Sequence, residues 1–279
     1  MSDAHLTAFT ARDGENLAVM DWPLERGVRR RGVFVIVHGL GEHAGRYNAL
    51  AEQLNCWGFS VRAYDQHGHG DSNGQRGAMP TDPHLLDDLA DILDDTRRHT
   101  DPRIPVILFG HSLGGLVTAR LVSLNLRKVE GLVLSSPALD AGMNPVQKLL
   151  VAVLPRIAPN LRVGNGLNPQ YLSHHAGVVQ EYRDDPLVHD RISARLARFI
   201  AEAGPATLAC APGWRVPTLL LYAGADKLVN PAGSRAFAAA APANLVMSHC
   251  FEGLYHEIFN EVEREAVFGR LKAWLDINF

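Results

Sequence analysis

The chain has 279 residues, 47% hydrophobic and 20% charged, ordinary proportions for a globular protein able to bury a sizeable core. A formal net charge of −3 and a pI near 6.5 give no electrostatic reason to expect nucleic acid as a partner. Cys56, Cys210 and Cys250 form no C-x-x-C pair, and neither a signal-peptide pattern nor an apolar run of membrane-spanning length is visible, so the expectation is a soluble, cytoplasmic protein with free thiols.

Residues 6 to 24 read as two short strands joined at Asp13-Gly14, a dipeptide suited to a hairpin turn, and hence as an antiparallel edge. Gly32 to Val37 is continuously apolar, as a strand covered on both faces should be, and runs into His38-Gly39-Leu40-Gly41-Glu42-His43. Helical spacing from Tyr47 to Trp57 closes at Gly58. Phe59 to Tyr64 is a further strand, entering Asp65-Gln66-His67-Gly68-His69-Gly70-Asp71-Ser72. Leu85 to His99 sets Leu85, Leu86, Leu89, Ile92 and Leu93 against Asp87, Asp88, Asp91, Asp94 and Asp95, which predicts an amphipathic helix with a solvated acidic face.

Val106 to Gly110 is again an apolar strand pattern, and Leu116 to Leu126 a helical one, so Ser112 stands at the corner between them. Val129 to Leu134 is another buried strand, and the strand–helix alternation argues for a doubly wound, mostly parallel sheet. From residue 138 to 213 the rhythm breaks: prolines, glycines and apolar helical pieces at Leu149 to Leu154 and Ile192 to Ile200 suggest an inserted, mainly helical cap. Thr218 to Ala223 resumes the sheet, followed by a helix from Ala232 to Ala241, a strand from Leu245 to Phe251, a loop holding His256 and a last helix from Glu261 to Asp276. The expected organisation is an α/β core from residues 1–137 and 214–279, with eight strands, and a cap over residues 138–213.

Gly110-His111-Ser112-Leu113-Gly114 carries the chemistry. So tight a turn crowds a Cβ on either side of the serine, and glycines two before and two after relieve it. The pentapeptide alone is common turn chemistry; the strand and helix around it single it out. Serine is a poor nucleophile at neutral pH and needs an imidazole to take its proton and a carboxylate to fix that imidazole's tautomer. Asp226 and His256 follow Ser112 in the order acid then histidine, each just after a late strand. A turn carboxylate and a packed loop histidine are the bland alternatives, and His249 is a rival base placed inside a strand pattern. An oxyanion would be held by the amide of Leu113, at the helix amino terminus, and by that of Leu40 in the glycine loop. His67-x-His69 with Asp65 and Asp71 reads as turn structure rather than a metal cluster, His174-His175 lacks a third ligand, and Gly39-Leu40-Gly41 lacks the rest of a nucleotide fingerprint. No metal or cofactor is therefore expected.

The segments 38–47, 65–72, 110–115, Asp185-Pro186-Leu187-Val188 and Tyr255-His256-Glu257 resemble monoacylglycerol lipases and related lysophospholipase-like hydrolases, in order and over almost the whole chain. The resemblance implies a capped α/β-hydrolase that cleaves carboxylic esters of glycerol or similar alcohols without a cofactor, with Leu40 and Leu113 as oxyanion donors. It also implies that Arg46, Tyr182 and His111 lie near the alcohol end of the substrate. The apolar run Leu149 to Leu154, with Ile157 and Leu161, suits an acyl chain or transient contact with a membrane or micelle surface, ordinary burial being the alternative. A lysophospholipase, a short-chain carboxylesterase, an aminopeptidase of the proline-iminopeptidase type and a non-catalytic binder stay open as rivals; epoxide hydrolases and dehalogenases would carry aspartate at position 112.

Overall fold

The computed structural model describes residues 4–279 and opens with the expected hairpin. Strands β1 (His5–Thr10) and β2 (Asn16–Trp22) pair antiparallel across a turn where Gly14 has φ of 88°. Then β3 (Gly32–Val37), α1 (Asn48–Cys56), β4 (Phe59–Tyr64), α2 (His84–Arg98), β5 (Val106–His111), α3 (Leu113–Ser123) and β6 (Gly131–Ser135) alternate. The chain next leaves the sheet for α4 (Pro145–Ile157), β7 (Arg162–Gly164), α5 (Ala176–Asp184), β8 (Arg191–Ser193) and α6 (Ala194–Cys210). It returns with β9 (Thr218–Ala223), α7 (Pro231–Ala240), β10 (Val246–Phe251) and α8 (Arg264–Asn278).

The main sheet has eight strands in the order β1-β2-β4-β3-β5-β6-β9-β10; β2 is antiparallel to both neighbours and the rest run parallel. Every residue of β3, β5, β6 and β9 is buried, which is why these segments carry no polar alternation. Alternate side chains feed two cores. Val35 and Val37 point to the layer shared with Leu89 and Leu116, whereas Phe34 and Ile36 point to the layer shared with Leu54 and Leu271. Because parallel strands share one carboxyl edge, the loops after β3, β5, β9 and β10 open on the same side of the sheet.

Two expectations are corrected. Asp88 does not lie on a solvated face: it is 3% exposed, because steps of three and four residues place it in one stripe with Leu85 and Ile92. Asp91, Asp94 and Asp95 do face outward, paired with Arg12, Arg127 and Arg62. Helix α3 ends at Ser123 rather than Leu126, with Asn125 at φ 52° turning the chain away. Among the described residues no helix is long and apolar enough to cross a membrane.

Candidate active site

Ser112 has φ 54° and ψ −117°, a conformation that costs a residue with a Cβ of order 1–3 kcal/mol. The surroundings hold it there. Its N–H donates to the Ser135 carbonyl at 3.0 Å, and its own carbonyl accepts from Leu116 at 3.1 Å and Ala138 at 3.0 Å. The flanking glycines are needed for close approach: a Cβ on Gly114 would lie 2.0 Å from the Val37 carbonyl, and one on Gly110 2.4 Å from Thr118 Oγ1. The corner is pressed against the end of β3, and the Ser112 side chain projects beyond the sheet edge.

Asp226 and His256 meet from the two loops after β9 and β10, with Asp226 Oδ2 accepting from His256 Nδ1 at 2.7 Å. Asp226 Oδ1 accepts from the amides of Leu228 at 2.8 Å and Val229 at 3.0 Å. Burial alone would raise the Asp226 carboxyl and lower the His256 imidazolium, but their mutual attraction prevails: Asp226 titrates below its usual range and His256 above. With Nδ1 committed to Asp226, Nε2 is the nitrogen left to exchange a proton. The rival His249 sits on β10 with its ring 4.5 Å from that of Phe251.

Leu40 and Leu113 lie beside Ser112 on one cavity wall. Among the described residues neither of their amides donates to a protein acceptor, the condition for binding an oxyanion. The loop carrying Leu40 is tied down from both ends. Gly39 N–H donates to Glu42 Oε1 at 2.6 Å, and His38 Nε2 accepts from the Gln66 amide at 2.9 Å while its Nδ1 donates to the Gly39 carbonyl at 2.7 Å. Those two bonds require a neutral imidazole, which burial also favours. Gly41 has φ 80°, and a Cβ there would lie 2.4 Å from the His189 carbonyl.

Arg46 joins two carboxylates far apart in sequence: Glu42 Oε2 at 2.6 Å, and Glu257 Oε1 and Oε2 at 2.6 and 2.9 Å. Its guanidinium carbon stands 4.8 Å from the centre of the Tyr182 ring. His111 Nδ1 lies 3.0 Å from Ser135 Oγ, and its ring is 4.7 Å from that of His256. Burial, then the adjacent His256, lowers His111 to about 4, so it stays neutral. Arg46 and His111 border a small cavity of about 20 Å³, enough for one water. Sequence reasoning assigned no role to Glu42 and Glu257; their signals were the four-residue spacing from Arg46 and adjacency to His256. Arg46→Met strands both carboxylates in the interior and is expected to lower stability by about 3–5 kcal/mol. A urea midpoint unchanged from wild type would contradict this.

A larger cavity of about 430 Å³ separates Ser112 from the insertion between β6 and β9. Leu150, Val151 and Leu154 of α4, and Ala197 and Ile200 of α6, form much of its apolar wall. The outer face of α4 is apolar too: Val146, Leu149, Val153 and Ile157 are 66, 65, 41 and 75% exposed, and in this helix only Pro155 is buried. Asp65 binds the amides of Ala44 at 2.7 Å and Asp71 at 2.8 Å, so that loop is turn structure.

A doubly wound sheet with a strained serine corner, a histidine–carboxylate pair and free amides at one edge is the architecture of an α/β-hydrolase. The model for the serine aminopeptidase S33 family matches residues 28–263, and the chain belongs to that family of serine hydrolases. It is 34% identical over 254 residues to a monoacylglycerol lipase of Mycolicibacterium smegmatis, covering 88% of each chain. It is 33% identical over 260 residues to phospholipase YtpA of Bacillus subtilis, covering 91% of this chain and 98% of that one. Among solved structures, a monoacylglycerol lipase from Paleococcus ferrophilus is similar with a TM-score of 0.82 and 34% identity over the full length of both chains.

Proposed function

We propose that the protein hydrolyses monoacylglycerols, or similar lipid monoesters, to a fatty acid and an alcohol through an acyl-enzyme, with Ser112, His256 and Asp226 as the catalytic residues. The observation that carries this is the apolar cavity of about 430 Å³ opening on Ser112: a long acyl chain fits such a volume and such walls. Ser112 Oγ attacks the ester carbonyl as His256 Nε2 takes its proton, and the Leu40 and Leu113 amides receive the negative oxygen. The C–O bond then breaks, and His256 returns the proton to the departing alcohol. Water, activated by the same imidazole, displaces the serine and releases the acid. Tyr182 and His111 border the alcohol side, and Arg46 holds the loops there through Glu42 and Glu257. The insertion acts as a cap, and α4 contacts a micelle or membrane surface transiently. The similarity to a phospholipase supports lysophospholipid hydrolysis as the second reading.

A panel of monoacylglycerols, lysophospholipids and short p-nitrophenyl esters tests the assignment; turnover of monooleoylglycerol no faster than that of a short ester would sink it. Leu150→Glu and Leu154→Glu place a charge in the acyl wall. Both are expected to lower kcat/KM for long-chain esters by at least about tenfold more than for acetate esters, since an unpaired charge beside an alkyl chain is costly. Equal losses on both would remove this pocket from the proposal.

A further inference from the structure

The geometry points to a divalent-cation site outside the catalytic centre, formed by Asp13, His84 and Asp88, which takes Zn²⁺ or a similar borderline metal. One ligand atom from each of these three side chains lies within 4.8 Å of the other two. His84 and Asp88 are four residues apart on α2 and so share a face, while Asp13 reaches over from the β1–β2 turn. His84 Nδ1 is 3.5 Å from Asp13 Oδ2, and His84 Nε2 is 3.5 Å from Asp88 Oδ2, too long for either to count as a good hydrogen bond. One ion binds only one imidazole nitrogen, and the buried pair His84 Nε2 and Asp88 Oδ2 already has a spacing that two bonds of about 2.1 Å span; the partly exposed Asp13 carboxylate, now beside Nδ1, turns its Oδ2 to complete the set.

A second, independent observation points to a ligand at this place. His84 Nε2 and Asp88 Oδ2 are buried with no hydrogen-bond partner, and so are the adjoining His67 Nδ1 and Tyr64 hydroxyl. Asp88 is 3% exposed and His84 6% exposed. The His67 ring meets the His84 ring edge-on at 4.4 Å, and the Asp88 charge reaches Tyr64. Interiors leave few polar atoms unsatisfied, and the facing pair His84 Nε2 and Asp88 Oδ2 calls for a shared partner.

The charges around the site agree: Asp13, Asp87 and Asp91 set further negative charge about Asp88, which a divalent cation offsets. Two carboxylates and one imidazole form a set of oxygen and nitrogen ligands that suits zinc better than calcium or magnesium. The ion would fasten the hairpin turn to the amino end of α2, which is a structural role.

The full chain, stripped with EDTA, is titrated with ZnCl₂ by calorimetry and with CoCl₂ by visible absorption. One equivalent is expected to bind, with the d–d bands of cobalt bearing a nitrogen ligand. Asp88→Asn is expected to weaken Co²⁺ binding by at least about tenfold, with ester turnover retained. Asp13→Asn keeps Oδ1 as acceptor of the Glu15 N–H in the turn and guards against a variant that fails to fold; it should weaken binding likewise. Absence of saturable binding by the wild type, or equal affinity in Asp13→Asn, overturns the site.

Discussion

Ser112→Ala is expected to reduce ester hydrolysis by a factor on the order of 10⁴–10⁶ and to abolish labelling by a fluorophosphonate probe, while thermal stability changes little. The loss is large because the remaining parts, an imidazole and two amides, have no nucleophile to activate and only water to position. Stability stays because alanine keeps the Cβ that is strained at φ 54°, along with the three backbone bonds that hold the corner. Ser112→Gly separates the two effects: it removes the nucleophile and the steric cost together, so it should be as inactive as the alanine variant but more stable, by up to about 1–3 kcal/mol. Normal-rate probe labelling of the alanine variant would refute the nucleophile. A glycine variant no more stable than the alanine one would show that the corner stores no strain.

Asp226→Asn should lower kcat/KM by about 10⁴-fold at neutral pH, through the wrong imidazole tautomer rather than through unfolding. The pH profile supplies a second readout. On the proposed mechanism activity needs neutral His256, whose pKa is raised above 6.5 because Asp226 outweighs burial. The wild-type rate therefore rises with pH through a midpoint above 6.5, and with the carboxylate gone burial prevails and the midpoint moves to lower pH. His111, at about 4, stays neutral and adds no limb above pH 5. A variant profile with its midpoint unchanged would remove Asp226 from the pair. The stability sign is the reverse: a raised imidazole pKa stabilises the fold at acidic pH, and that contribution fades as pH rises past the folded value.

What could be read in advance depended on how local the determinant was. Ser112 was legible because the crowding, the glycines and the change from strand to helix periodicity all fall within ten residues. Strands β3, β5, β6 and β9 were legible because burial on both faces leaves continuous apolar runs, and β1 and β2 because Asp13-Gly14 marks the turn between them. Asp88 was misread because the acidic residues of α2 were treated as one face, although steps of three and four link it to Leu85 and Ile92. The Arg46 network was hidden for another reason: Glu257 lies 211 positions away, and no local rule couples residues at that distance. The acyl-sized cavity was least legible, since its walls form only where α4 and α6 come together over Ser112.

The insertion's attachment to the sheet is uneven, and this divides access from chemistry. Residues near its middle are fastened to the loop bearing His256: the Glu257 amide donates to the Leu172 carbonyl at 2.8 Å, and Glu261 holds the Ser173 hydroxyl at 3.0 Å and His174 Nδ1 at 2.7 Å. Helix α4, by contrast, has only Pro155 buried. A segment with so few buried side chains is expected to open at lower cost than the packed core. When it does, the imidazole keeps its carboxylate and the glycine loop its tethers. On the proposed function, this doorway would respond to a lipid surface without retuning the proton transfer behind it, and hydrogen exchange should find α4 opening long before the His256 loop.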